Sequence, residues 1–168
     1  MIEFLRLEDL GIIQESDVEI AAGLTVLTGE TGAGKTMVLT AIDLLLGARP
    51  VAGLAMSPNT RVQGGWSLNA DHPIVSRIED LGGVVHEGEL LITRTLPSNG
   101  RSRCSVGGAV VPQPVLAEIG AQLIAVHGQA DQSLLRKESE QRALLDRFAG
   151  DELEHVLGQY RNVFERVR

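Results

Sequence analysis

Eight consecutive residues, Gly29-Glu30-Thr31-Gly32-Ala33-Gly34-Lys35-Thr36, fit the pattern G-x-x-x-x-G-K-[ST] at every fixed position. That spacing suits one chemistry, the binding of a phosphate chain by backbone. Glycines let successive N–H groups converge on the β-phosphate, and a following helix turns the positive end of its dipole toward the same charge. Lys35 would reach the β- and γ-phosphates, and the Thr36 hydroxyl would hold Mg²⁺. All eight positions are candidate nucleotide-binding residues, with Lys35 also a catalytic candidate and Thr36 a metal-ligand candidate.

A chain with 19 glycines could meet this pattern by chance, so the flanking elements decide. Leu24-Thr25-Val26-Leu27-Thr28 is a β-prone run that predicts a strand entering the loop. Met37 to Leu46 runs without Pro or Gly until Gly47, which predicts a helix closed by a glycine cap. Strand, loop and helix in that order is the arrangement the motif requires.

The remaining chain fills in an α/β fold. Phe4 to Ile13 and Asp17 to Ile20 read as two strands around a turn at Gln14-Glu15-Ser16. A Gly-, Ala- and Pro-rich connection covers 47–58. Residues 60–111 read as antiparallel, with strands at Arg61 to Leu68, Val84 to His86, Leu90 to Leu96 and Ser102 to Val106. The Asn99-Gly100 pair is a strong hairpin signal. Helices are expected at Pro73 to Leu81 and Val115 to Gln122. Leu123 to His127 reads as a buried strand ending at Gly128-Gln129. From Glu138 the chain turns helical, and Leu153, Val156, Tyr160, Val163 and Val167 recur at heptad spacing. The expectation is a mixed sheet around the P-loop strand with an antiparallel β subdomain beside it.

Bulk properties narrow the function classes. At 168 residues, 43% hydrophobic and 22% charged, the chain has room for one domain with a real core. Aromatics make up only 3%, so that core must be built from aliphatic side chains. No apolar run is long enough for a membrane span, and the start is neither a signal nor a transit peptide. The single Cys104 makes a cytosolic location the default. A net charge of −7 argues against nucleic-acid binding by overall charge. Arg94, Arg101 and Arg103 cluster near the expected hairpin, either as a local DNA or inter-subunit contact or as charged protection of strand edges, with edge protection favoured.

The order of parts resembles the N-terminal half of an ABC-type head in the SMC-like ATPases. More narrowly, Leu27 to Thr36, Leu44-Leu45-Leu46-Gly47-Ala48-Arg49, Asn99 to Arg103, Val126 to Leu135 and Leu144 to Gly150 resemble the bacterial RecN family of DNA repair proteins. The likeness covers nearly the whole chain and is weakest between Val51 and Glu89. It implies an ATP- and Mg²⁺-dependent machine for repair of DNA double-strand breaks by recombination, cytoplasmic and associated with the nucleoid. It also implies a head over residues 1–150, the start of a coiled-coil helix over 151–168, and Gln129 as the Q-loop glutamine that contacts Mg²⁺ and the attacking water. His127 beside it is expected to be structural.

The departures are as informative. No run of four apolar residues precedes an Asp-Glu pair, as a Walker B segment would require, and no Leu-Ser-Gly-Gly signature occurs. In the family both lie beyond the coiled coil, so the chain reads as an N-terminal fragment whose hydrolysis needs a completing half. The implied partners are the C-terminal half of its own head, a second head in a homodimer, and DNA. The alternatives are an ATP-binding subunit of an ABC transporter, a P-loop kinase, and a non-hydrolysing module in which nucleotide only joins two heads. A transporter subunit usually carries an adenine-stacking aromatic before the loop, and Ile12 to Leu24 contains none.

Overall fold

The computed structural model describes residues 1–30, 32, 34–98, 101–124, 126 and 138–167. They form two compact units, Met1–Ala125 and Val126–Arg168.

The first unit is one six-stranded sheet with helices packed on one face. The strands are β1 (Ile2–Leu10), β2 (Ile13–Glu19), β3 (Thr60–Ser67), β4 (Glu89–Leu96), β5 (Arg103–Val106) and β6 (Ala109–Val111), in the spatial order β2-β1-β3-β4-β5-β6. Every pairing is antiparallel. The helices are α1 (Lys35–Leu45), α2 (Ile74–Asp80) and α3 (Gln113–Leu123).

Side-chain alternation assigns the two faces of the sheet. Leu5 and Leu7 of β1, Val62 and Trp66 of β3, Leu90 and Ile92 of β4, and Cys104 and Val106 of β5 are all buried. They meet Ala41, Leu44 and Leu45 of α1, Ile74 and Ile78 of α2, and Leu116 and Ile119 of α3 in one core. The opposite face is mostly polar, with Phe4 and Leu91 exposed on it, and follows the register. Arg6 is paired with Asp17 at 2.6 Å, Arg61 with Glu8 at 2.6 Å, and Gln63 with Thr93 at 3.1 Å. Such exposed pairs fix register more than they add stability, each contributing about 0–1 kcal/mol.

Several expectations need correction. The first hairpin turns at Gly11-Ile12, since Leu10 pairs with Ile13, and residues 14–16 belong to β2. Gly11 takes φ 56°, which places glycine where a type II′ turn needs it. Val84 to His86 supplies a single bridge, His86 to Glu89, around the positive-φ pair Glu87-Gly88. A strand absent from the sequence reading, β6, folds back on β5 through Gly107-Gly108, both at positive φ as a type I′ turn demands.

The largest correction concerns the sheet itself. Leu24 to Thr28 has no ladder partner among the described residues, and no mixed sheet forms around it. Leu24 is 90% exposed and Val26 69%. The strand expected over Leu123 to His127 does not begin at Leu123. Leu123 closes α3, Ile124 is its extended C-cap, and Ala125 and His127 lie outside the described residues. Propensity favours a strand at Leu24 to Thr28, but an extended segment becomes one only where a neighbour accepts its hydrogen bonds.

In the second unit, α4 (Glu138–Val167) is helical on both sides of a break at Gly150, where φ is 71° and ψ −164°. Leu153 is half-buried, while Val156, Tyr160, Val163, Phe164 and Val167 are exposed. The Tyr160 and Phe164 rings stack at 5.9 Å, one helical turn apart.

Candidate functional site

The glycine-rich loop ends where α1 begins. Gly34 is the N-cap of α1, with φ 92°, and Gly32 lies at φ 88°. Both are in the left-handed region that L side chains rarely adopt, so the glycines of the motif are conformational requirements. The Gly34 carbonyl accepts from the N–H groups of Met37 and Val38, at 2.9 and 3.2 Å. No side chain caps the helix and its first turn holds no acidic residue. Helix N-termini ordinarily recruit Ser, Thr, Asp or Asn to satisfy their free N–H groups. An uncapped N-terminus behind three glycines leaves those donors for an external anion.

Lys35 is the first helical residue. Its ammonium donates to the carbonyl oxygens of Gly29 and Glu30, the latter at 2.5 Å. The one full positive charge of the loop therefore lies folded against the backbone the motif arranges, within reach of any anion seated there. Thr36 follows on the same turn, exposed, and its carbonyl accepts from the Thr40 hydroxyl at 2.8 Å. A pocket of about 440 Å³ opens here, lined by Gly32, Gly34, Lys35 and Thr36 of the loop and by Ile12 and 51–54. The residues present fit a nucleotide triphosphate: donors, a cation and a hydroxyl converge on one opening.

The far end of α1 is built in the opposite way. Gly47 at φ 89° sends its N–H to the Leu44 carbonyl, and the Ala48 N–H reaches the Asp43 carbonyl at 2.9 Å, which together form a Schellman cap. Arg94, fully buried, donates from one guanidinium nitrogen to the carbonyls of Leu44 and Ala48, at 2.8 and 2.7 Å. Its other terminal nitrogen donates to the Ser102 hydroxyl at 3.1 Å. A cation at the negative end of the helix is favourable, while burial pushes the Arg94 pKa down. The arginine is thus neither strand-edge protection nor a DNA contact, and it fixes the exit of α1. α3 completes the anchor, because a Cβ at Gly47 would sit 2.6 Å from the Ala117 backbone and Gln113 donates to the Gly47 carbonyl. Nothing in the sequence pattern marks Arg94 as different from Arg101 and Arg103, although its position on the inward face of an alternating strand is legible once that strand's register is known.

Of the other candidate residues, Gly29, Glu30, Gly32, Gly34, Lys35 and Thr36 are brought together on the loop. Thr31, Ala33 and Gln129 lie outside the described residues, as does the Asn99-Gly100 turn. Among the described residues no group of three His, Cys, Asp or Glu side chains comes together as a metal site, and no helix is long and apolar enough to cross a membrane.

A family model described as an AAA domain matches residues 5–73, which hold β1, β2, the loop, α1 and β3. The chain is 44% identical over 166 residues to the DNA repair protein RecN of Streptomyces coelicolor, covering 98% of this chain and 29% of that protein. It is 36% identical over 168 residues to RecN of Bacillus subtilis, covering 99% of this chain and 29% of that protein. The chain matches RecN proteins along nearly its whole length. It spans about three-tenths of the length of these RecN relatives. Solved heads of SMC proteins share its fold. The Smc head with coiled coil and joint from Pyrococcus yayanosii gives a TM-score of 0.63 at 18% identity, over 98% of this chain and 35% of that one. The Pyrococcus furiosus Smc head bound to the C-terminal domain of ScpA gives 0.60 at 21%, over 98% and 47%. These likenesses favour an SMC-like, RecN-type head over a transporter subunit.

Proposed function

We propose that this chain is the ATP-binding N-terminal part of a RecN-type head that acts in repair of DNA double-strand breaks. The observation that carries the nucleotide reading is the uncapped N-terminus of α1 behind Gly29, Gly32 and Gly34, with Lys35 on its first turn. In this reading the loop N–H groups and Lys35 hold the β- and γ-phosphates, and Thr36 and Gln129 hold Mg²⁺. The metal, when bound, neutralises charge on the phosphates. Lys35 leaves the Gly29 and Glu30 carbonyls to pair with that charge, and Gln129 orients water.

The partners follow from what the chain leaves open. Leu24 to Thr28 is an extended apolar run without a ladder partner among the described residues, and the C-terminal half of the same head is the proposed source of the missing strands. That half would also supply the carboxylate that Lys35, Thr36 and Gln129 do not provide, so this chain alone binds nucleotide and hydrolyses it negligibly. The break at Gly150 supports a boundary there, with 151–168 beginning a coiled coil whose exposed apolar stripe awaits a second helix. A second head, DNA and a cytoplasmic, nucleoid-associated setting complete the reading.

Calorimetry with MgATP tests it. Lys35→Ala removes the loop's full positive charge and should weaken binding by more than tenfold, which is about 1.4 kcal/mol or more. Equal affinity in the two proteins would contradict the assignment.

A further inference from the structure

The sheet carries α1, α2 and α3 on one face, and no described element of the first unit covers the other. The register orders that open face into rows that cross the strands. In one row Glu8 pairs with Arg61, and in the next Arg6 pairs with Asp17 and Gln63 with Thr93. Polar rows of this kind suit a solvated sheet face. The third row is different. It runs Glu19, Phe4, Gly65, Leu91 across β2, β1, β3 and β4.

Gly65 makes this row a continuous surface. A Cβ there would lie 2.2 Å from the Phe4 ring, so the ring lies over β3 where a side chain would otherwise stand. A glycine inside a strand weakens it and marks such a close approach. Phe4 remains 36% exposed and Leu91 44%. Either alone would be an ordinary surface residue, but the register sets the two in one line with only a glycine between them. The ends of that line are acidic. Glu19 lies opposite Phe4 on the edge strand β2, and Glu89 stands two residues before Leu91 on the same face of β4. Both are exposed, and neither is ion-paired among the described residues, unlike Asp17 and Glu8 in the rows beside them.

We infer that this row is a docking surface for a basic amphipathic segment of a partner protein, whose apolar side chains cover Phe4 and Leu91 while its Lys or Arg residues meet Glu19 and Glu89. Charge selects the occupant. A second copy of this chain, with its net charge of −7, would set the same carboxylates against each other, and the phosphates of a nucleic acid would be repelled in the same way. A cationic amphipathic segment takes apolar surface out of water and supplies the ion partners that the row lacks. The row spans three strand spacings, about 14 Å, so the segment is short and the contact is of the weak, transient class. This inference is independent of the nucleotide reading.

The test is amide chemical-shift mapping on the 168-residue chain, titrated with a short peptide that alternates Leu with Lys. The largest shifts should fall on Phe4, Gly65 and Leu91, and a peptide with Glu in place of Lys should not bind. Leu91→Asn should weaken binding of the Lys peptide about tenfold. Glu19→Gln with Glu89→Gln, at two exposed positions, should weaken it at least about threefold. Glu79→Gln with Asp80→Asn on α2 removes the same charge elsewhere and should change nothing. Shifts centred away from this row, unchanged affinity in Leu91→Asn, equal weakening by the two double variants, or equal affinity for the two peptides would overturn the proposal. So would a dimer in sedimentation that Leu91→Asn dissociates, because the face would then belong to a second copy.

Discussion

Two short extended segments of this chain met opposite fates. Leu24-Thr25-Val26-Leu27-Thr28 is the better strand former by composition, yet it has no ladder partner among the described residues, and Leu24 and Val26 lie in solvent. β3 carries two adjacent glycines, which propensity disfavours, yet it is a central strand between β1 and β4. The difference is supplied by neighbours. Gly64 faces Trp66 and Leu45, where a Cβ would lie 2.7 and 2.8 Å from their side chains, and Gly65 lies beneath the Phe4 ring. β3 is stable because other elements fit it closely. The segment before the loop has apolar side chains but no neighbouring strand among the described residues to fit them.

This contrast can be broken most forcefully from the paired side. Arg94→Ala would remove the side-chain donor to the Ala48 carbonyl and one of the two donors to the buried Leu44 carbonyl, which keeps the Gly47 N–H, and would leave a cavity beside Cys104 and Ser102. It should cost about 3–5 kcal/mol in denaturant unfolding. A loss below about 1 kcal/mol would mean that the exit of α1 is held by its Schellman cap and α3 alone. Gly64→Ala forces Trp66 and Leu45 to give way, and overpacking of this kind should cost about 1–3 kcal/mol in the same measurement. On the unpaired side, Leu24→Asn with Val26→Thr should shift stability by no more than about 0.5 kcal/mol, because neither side chain is buried. A penalty as large as that of Gly64→Ala would show that the segment is paired in solution.

What the sequence made legible follows the same division. The glycine-rich loop, the helix that leaves it and its glycine cap are readable because motif and capping chemistry are local. So are the antiparallel strands Thr60–Ser67, Glu89–Leu96 and Arg103–Val106, whose alternation matches their buried faces, whereas Val84 to His86 gives only a bridge and the Asn99-Gly100 turn lies outside the described residues. The first hairpin's turn is less plain, since Gly11-Ile12 competes with the polar run 14–16, and β6 is marked only by Gly107-Gly108 between valine-bearing runs. The role of Arg94 is hidden in the sequence for a different reason. Whether an arginine lies inside or outside a strand depends on register, and register is set by partners that composition does not name. The absent mixed sheet has that cause too, since strand propensity cannot say whether a partner is present.

The most direct test of the site is amide hydrogen exchange on the chain, with and without MgATP. Without nucleotide, Leu24 to Thr28 should exchange rapidly while Val62 to Trp66 stays protected. Adding MgATP should slow exchange at the Gly32, Gly34, Lys35 and Thr36 amides and leave β3 unchanged. Protection of Leu24 to Thr28 equal to that of β3 in the free chain, or loop amides indifferent to MgATP, would contradict a phosphate site formed by an open loop and an uncapped helix end.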